Sequence, residues 1–442
     1  MSPLSAAEIA CFVERLQHVG RDLADAERVD QLSLLESLTG AAAAAQAVLT
    51  VDLHESVRER DADLGIPAQR QGAGVAAQIG LARRVSPHRA GTLLGLAHAV
   101  VEEMPHTFAR MREGLLSEWR ATLLVRETAC LSRDDRLAVD AELMCDPATT
   151  YGWGDKRFVA EAKKIAYRID PMAATRRARK AEADRRVTCR PAPDTMASVN
   201  ALLPVTGGVA VHAALDQEAK RLKAAGDERT RGQIMADLLV ERVTGRTAAA
   251  PADVEVQVVL SDTTLLGVEH EAAHVTGFGP VPAPWARELV GDVLDDEDAA
   301  ASLRRFWATP DCGSLVAMES TAATFPRAIR RFLDTRDQFC RTPWCGAPLR
   351  HADHVRSRSA HGPTSAGNGQ GLCEACNYAK SSPRWRAEAV PDDPVGRHTV
   401  VTTTPTGHRY RSTAPPVPGH PSRGQPRGST VERYFVDWVL TS

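Results

Sequence analysis

The chain has 442 residues, of which 43% are hydrophobic, 25% charged and 5% aromatic, with a formal net charge of −2. That length exceeds one ordinary core, so two or three domains are expected, and the composition excludes a disordered or fibrous chain. The first residues carry Glu8, Glu14 and Arg15 instead of the apolar run of a signal peptide, and no stretch of about 18 apolar residues reads as a membrane span, so a cytoplasmic, membrane-free setting is expected.

Few aromatics beside abundant alanine and arginine favour packed helices over a β-sandwich. Residues 1–150 read as a helical domain. Ser86-Pro87 starts a helix with a serine cap and a proline at the first helical position. That helix runs to about Glu103 and stops before Pro105. Ser117 caps a helix whose Leu116, Trp119 and Leu123 share a face. Ser132 with Asp135 resembles a capping box.

Residues 151–330 read as a basic helical region with a short β element. Lys156 to Arg190 holds 12 basic residues against four acidic ones, a net +8, and its Thr175–Arg190 part reads as a solvated helix face or a phosphate-contacting helix. Two helices follow over 207–245, stopped by Gly226 and Gly245. Val254 to Leu260 is β-branched and partly alternating, so it reads as a strand. Gly277 to Pro284 reads as a loop, and Asp292 to Asp298 as an acidic helix start or linker. Residues 391–442 read as a flexible tail, because Pro391 to Thr430 is rich in Pro, Gly, Ser and Thr; Val431 to Leu440 is a possible short docking helix. No internal repeat stands out.

Five of the nine cysteines (Cys11, Cys130, Cys145, Cys189 and Cys312) are scattered and read as small buried side chains. The other four form two pairs, Cys340/Cys345 and Cys373/Cys376, about 27 residues apart, which fits a closed four-thiolate zinc site. A closed site is structural. It suits a domain at 331–390, because a unit of roughly 55 residues buries too little surface to hold itself together. The same region is basic: Arg327 to Arg386 carries 11 basic residues against four acidic ones, a net +7. Two basic segments in a near-neutral chain suggest a polyanionic partner.

Chemistry must then lie between the two knuckles. Arg350 to Arg356 reads as a short strand that presents Asp353 and His354 on opposite faces unless a bend turns both to one pocket, and Asn377 starts a helix with Lys380 one turn later. A carboxylate and an amide oxygen are hard ligands for Mg²⁺ or Mn²⁺. A neutral histidine can take a proton from water, and a lysine can hold a phosphate.

Asp353-His354, Asn368 fourteen residues on, and Cys373-Glu-Ala-Cys376-Asn377-Tyr-Ala-Lys380 together resemble the HNH (ββα-metal) nuclease motif in its zinc-bound form. The resemblance implies His354 as general base, Asp353 and Asn377 as ligands of a catalytic Mg²⁺ or Mn²⁺, and Asn368 as the residue that shapes the loop between strands. It implies Cys340, Cys345, Cys373 and Cys376 as the ligands of a structural Zn²⁺. The final histidine of the motif is Asn377 here, which still offers an oxygen. Met104-Pro-His-Thr-Phe108, Glu113-Gly-Leu-Leu-Ser-Glu-Trp-Arg120 and Gly226-Asp-Glu-Arg-Thr-Arg-Gly-Gln233 are similar to the actinobacterial thirteen-E-twelve repeat family, which joins a helical domain to a C-terminal HNH domain.

The expected fold is a mainly α N-terminal region with a small β element, followed by a zinc-stapled ββα-metal domain. The expected activity is metal-dependent hydrolysis of DNA phosphodiester bonds. The alternative is a zinc-containing DNA-binding module without nuclease activity. His351 and His361 match no catalytic letter and read as strand or loop residues. Arg356 and Arg358 face solvent or phosphate, and Trp344 and Trp385 read as packing for the small domain.

Overall fold

The computed structural model describes residues 4–245, 256–265, 267, 270–295, 319–320, 324–390 and 396–417. In chain order the first elements are α1 (Ala6–Leu16), α2 (Asp25–Asp63), α3 (Val75–Arg83), α4 (Pro87–His98), α5 (Pro105–Arg112), α6 (Glu118–Thr128), α7 (Arg133–Met144), α8 (Asp155–Ile169) and α9 (Pro171–Ala183). Then come β1 (Arg186–Pro191), β2 (Ala197–Leu202), α10 (Val205–Ala224), α11 (Arg231–Thr244), β3 (Val258–Val259), α12 (Asp262–Leu265), β4 (Ala273–Val275), β5 (Gly279–Val281) and α13 (Ala283–Asp295). The C-terminal part holds β6 (Glu319–Ser320), α14 (Arg327–Asp337), β7 (His351–His354), β8 (Thr364–Ser365), β9 (Gly369–Leu372), α15 (Glu374–Lys380), β10 (Arg386–Val390), β11 (Thr399–Thr403) and β12 (Arg409–Thr413). The fold is mostly helical with small sheets. It divides into two compact units, residues 1–75 with 91–179, and residues 76–90 with 180–442.

In the first unit α2 packs on α5, α5 on α7, and α6 and α7 on α8. Met104, Met111, Leu124, Val139, Leu143 and Phe158 fill the core. The helix ends obey local rules: the side chains of Ser117 and Ser132 accept hydrogen bonds from the Arg120 and Asp135 amides. A π-helical turn over Ala99–Glu103 closes α4, and Pro105 then opens α5. That opening has no local cap. Buried Asp140 of α7 supplies it by accepting from the His106 and Thr107 amides at 2.7 and 2.9 Å. Gly114, at φ +73°, lets the loop before α6 meet α2, because a Cβ there would lie 2.5 Å from the Ser37 carbonyl oxygen.

The middle of α2 corrects the expectation that no apolar stretch is long enough to span a membrane: by length and composition it passes that test. Gly40, Ala43, Ala44, Ala47 and Val51 of this helix are buried within the unit, and a third of the apolar window is buried in all.

In the second unit β1 and β2 pair as a hairpin, α10 packs on α11, and β3, β4 and β5 form a three-stranded sheet. Five expectations change. The helical reading of Thr175–Arg190 ends at Ala183, and Arg186–Pro191 is a strand. Gly277 to Pro284 is a β-hairpin turn (Gly277 at φ +81°) whose β5 leads into α13, rather than a loop throughout. The strand expected over Val254–Leu260 is seen as Val258–Val259, its first two residues lying outside the described residues. Asp292 lies in the last turn of α13 rather than at a helix start, and 296–298 lie outside the described residues.

The largest change concerns the tail. β11 and β12 extend β10 into a three-stranded antiparallel sheet, with Val390 opposite Thr399 and Thr403 opposite Arg409. Residues 396–417 are therefore part of the fold, and the Thr406 hydroxyl donates to Gln78 at 3.1 Å. The docking helix expected over Val431–Leu440 and Cys312 lie outside the described residues.

Candidate functional site

The C-terminal region is organised by two small cores. Ile329, Phe332 and Leu333 of α14 pack with Ala366, Phe325, Ala352 and Val417. Cys340, Leu372, Cys373 and Cys376 form the second, with Cys345 and Ala347 against it. Between them runs an antiparallel pair, β7 with β9, in which His351 faces Leu372 and His354 faces Gly369. Helix α15 follows β9 directly, with Cys373 as its N-cap residue. Asn377 therefore stands a turn inside the helix rather than at its start as the sequence suggested.

The four clustered cysteines come together. Their sulfurs all lie within 4.8 Å of one another, and Cys345 Sγ is 3.6 Å from Cys373 Sγ. Four ligands on a tetrahedral zinc ion stand about 3.8 Å apart, from Zn–S distances of about 2.3 Å. The donor set therefore fits a structural metal ion such as zinc. Local backbone makes the fit: the Cys340 amide donates to the Ala347 carbonyl at 2.9 Å and the Cys345 amide to Thr342 at 3.1 Å. Trp344 and Gly346 take left-handed conformations to turn the first knuckle. Neighbouring thiols that donate to its sulfur pull the Cys373 thiol strongly toward the thiolate, the form a metal binds.

Residues the sequence reading passed over hold this frame. Arg336, Asp337 and Arg341 are 5%, 2% and 4% exposed. Arg336 grips both Asp337 oxygens, Nε to Oδ1 at 2.8 Å and Nη2 to Oδ2 at 3.0 Å, and also donates to the Ala366 and Gly369 carbonyls. Asp337 Oδ2 accepts from the Gly371 amide at 2.7 Å, and Arg341 reaches the His398 carbonyl, just before β11, at 3.1 Å. Burial pulls the Arg341 guanidinium down to about 10, against the opposing pull of Asp337. One carboxylate thus compensates two buried cations and ties α14 to β9 and β11. The packing around the cluster therefore reaches beyond 331–390, with Ile329 of α14 and Val417 in one core. Asp337→Ala would leave both guanidiniums buried without a counter-charge. It should cost about 3–5 kcal/mol in urea unfolding, and a loss below about 1 kcal/mol would remove this network from the account.

His398 adds a pH dependence. Its Nε2 donates to the Gly367 carbonyl at 2.9 Å, and its Nδ1 is buried with no partner among the described residues. Burial, reinforced by Arg336, pushes its pKa from 6.5 down to about 4. The folded state thus favours the neutral ring. The stability this contributes is complete above about pH 6.5 and is lost as pH falls toward 4. Between pH 7 and 4.5 the parent should lose roughly 2 kcal/mol more than His398→Gln in the same unfolding experiment. Equal losses would show that His398 is not the titrating group.

Asp353 and His354 follow one another along β7 and engage different neighbours. Asp353 Oδ2 accepts from Lys380 Nζ at 2.8 Å and from Gln370 Nε2 at 3.0 Å. Lys380 also donates to the His354 carbonyl. Its ammonium is therefore engaged on β7. Asp353 Oδ1 and the Asn377 side chain have no hydrogen-bond partner among the described residues.

The His354 ring is held on two sides. Its Nε2 is 2.9 Å from the Thr364 hydroxyl, and its centroid is 4.3 Å from that of Phe325. Burial pushes the His354 pKa below the ordinary imidazole value, with Arg358 and Lys380 adding to the shift and Asp353 opposing it. The ring is thus neutral at pH 7.

Asn368 clamps the loop between the strands. Its amide donates to the Arg356 carbonyl at 3.0 Å and to the Pro363 carbonyl at 2.7 Å, and its oxygen accepts from the Arg356 amide at 2.9 Å. The loop is drawn so tight that a Cβ on Gly362 would lie 1.8 Å from the Arg356 oxygen. Gln370 and Thr364, both buried, carry no motif letter, and only the pairing of strands reveals them. His351 and His361 stand apart: the His351 ring is 6.3 Å from that of Tyr378, and His361 is exposed. Arg356 Nε is tied back to the Ala360 carbonyl, and Trp344 packs edge-on to Tyr410 of β12.

An uncharacterized protein, Rv3776, of Mycobacterium tuberculosis is 30% identical over 146 residues, which are 32% of this chain and 25% of that protein. The chain thus spans about a quarter of the length of the curated relative it matches. No solved structure matches. The model of the family described as "Domain of unknown function (DUF222)" matches residues 32–337, ending at the buried Asp337 and just before the first cysteine of the cluster. The chain belongs to the DUF222 family.

Proposed function

We propose that the region from α14 to β12 is a zinc-stapled HNH endonuclease domain that hydrolyses DNA phosphodiester bonds in the cytoplasm. The observation that carries this reading is the arrangement around β7: a neutral His354 with one ring nitrogen engaged, beside a carboxylate, over a loop clamped by Asn368. A site that only bound DNA would have no need to fix an imidazole in one orientation next to Asp353.

In this reading Thr364 engages Nε2, so Nδ1 is the nitrogen free to take a proton from the attacking water. The water oxygen bonds to phosphorus as the P–O ester bond breaks, and the departing oxygen is protonated by solvent. Asp353 Oδ1 and the Asn377 amide oxygen are the hard donors that would hold Mg²⁺ or Mn²⁺. When bound, that ion supplies charge stabilisation at the phosphate and the leaving oxygen. Lys380 pairs with the Asp353 carboxylate and orients it, and Asn368 holds the strand-to-strand loop that carries the His354 end of β7.

The test is a supercoiled-plasmid assay with Mg²⁺ or Mn²⁺ beside a reaction without added divalent ion and beside His354→Ala. Metal-dependent nicking by the parent alone is expected. One observation favours the second reading, a DNA-binding module without nuclease activity. The Asp353 carboxylate already has Lys380 and Gln370 as partners, an arrangement a non-catalytic module would also keep. Retained DNA binding with no cutting under any divalent ion would establish that reading instead.

A further inference from the structure

The β1–β2 hairpin is built unlike the other strand pairs. Its two strands are exposed almost throughout, with Val187 and Val199 at 69% and 59% exposure, so no described element packs on it. A two-stranded hairpin without a packed face is marginal by itself. Asp194 and Thr195 both take positive φ, and the Met196 amide donates to the Pro193 carbonyl at 3.2 Å while the Ala192 amide donates to the Met196 carbonyl at 2.8 Å, which closes a tight turn over 193–195.

The register sorts its side chains into two kinds. Cross-strand partners share a face, and faces alternate along the strand. Arg186 faces Leu202, Thr188 faces Asn200, and Arg190 faces Ser198. Val187 faces Ala201, Cys189 faces Val199, and Pro191 faces Ala197. One face thus presents Arg186, Thr188, Arg190, Ser198 and Asn200, with Leu202 at its end opposite Arg186 and no acid among them. The acids nearest in sequence, Asp184 and Asp194, lie outside the paired strands. Arg186 gives one hydrogen bond to the Asp184 carbonyl at 3.2 Å, and Arg190 has no partner among the described residues. The chain enters β1 directly from Arg176, Arg177, Arg179, Lys180 and Arg185, part of the +8 segment.

Resting on the reading that the partner is DNA, we propose that this polar face of the β1–β2 hairpin is a ribbon that seats in the major groove of duplex DNA. The major groove is about 12 Å wide and admits a two-stranded ribbon. Six residues per strand give a ribbon about 20 Å long. Arginine and asparagine are the residue types that pair bidentately with guanine and adenine edges, and threonine and serine hydroxyls contact edges or phosphates. Arg185, immediately before β1, supplies a phosphate contact beside the ribbon.

The experiment is fluorescence anisotropy of a fluorescein-labelled 30-base-pair duplex with the full chain and no added divalent ion, across a salt series. Arg186→Ala/Arg190→Ala should bind at least about tenfold more weakly than the parent, with a log–log salt slope shallower by about 2. Lys220→Ala/Arg221→Ala, which removes the same charge from exposed α10, should stay within about twofold of the parent. Equal melting curves for all three establish that folding is unchanged. Hairpin variants that bind like the parent, or that weaken binding no more than the α10 control, overturn the proposal. So does unchanged affinity with an altered oligomeric state, which would make the hairpin a contact between copies. Duplex binding that depends on the hairpin without any plasmid cutting would sink the nuclease reading alone, and cutting that ignores the hairpin would sink this inference alone. A parent that binds no duplex overturns both.

Discussion

Replacing His354 by alanine should lower the rate of plasmid cutting by 10²- to 10⁴-fold, the range expected when a positioned general base is removed. Duplex affinity should barely change, because a neutral, half-buried imidazole adds little to binding a polyanion. Thr364→Val gives the finer measurement. It removes the hydroxyl 2.9 Å from Nε2 while keeping the side-chain shape, and Thr364 is 1% exposed. The ring would then lose the contact that fixes its orientation and tautomer, so kcat should fall by roughly tenfold at unchanged KM. Thr364 is a positioning residue in this account, and a purely structural role would move the melting temperature instead of kcat. A His354→Ala chain that cuts at the parent rate would remove the histidine from the chemistry altogether.

What could be read in advance follows from the range of the interactions. Helix caps depend on residues three apart, so Ser117 and Ser132 were legible. Zinc knuckles depend on cysteine pairs with two or four residues between them, so the four cysteines were legible as one cluster before any sheet was known. Gly245 stops α11 in the left-handed conformation expected of a helix-ending glycine.

The failures have a common cause. Thr399–Thr403 reads Thr-Val-Val-Thr-Thr, a β-branched run that was hidden by the proline and glycine on either side and whose partners, β10 and β12, are themselves brief. Arg186–Pro191 was absorbed into a helix because its charge suggested continuity with α9, although Val187 and Thr188 are β-branched. At the site, Asp337 looked like one acid in a charge count. Its importance comes from Gly371, thirty-four residues away, and from two arginines that only burial makes costly. Thr364 and Gln370 gain their roles from strand pairing, which no motif letter encodes.

Removing the metal from the cysteine cluster should unfold the C-terminal region, and this is the largest effect on stability expected for the chain. The two small cores there contain few large side chains, and a unit of this size gains no more than about 3–5 kcal/mol from apolar burial. Zinc bound by four thiolates is worth about 10–16 kcal/mol at neutral pH. The metal term exceeds the packing term severalfold, so packing cannot compensate for its loss. A zinc-selective chelator added to the intact chain should abolish the unfolding transition of this region and release one zinc per chain. Cys376→Ser should do the same without chelator, because its sulfur, 3% exposed, lies at the start of α15 and joins that helix to the first knuckle. Omitting magnesium should leave the melt unchanged while cutting stops, since Asp353 is already held by Lys380 and Gln370 in the fold without it. Two metals with identical effects on the melt would mean that the structural and catalytic sites are not separate. A chelated chain that melts like the parent would mean that the cysteine core and the Arg336–Asp337–Arg341 network hold the region together by themselves.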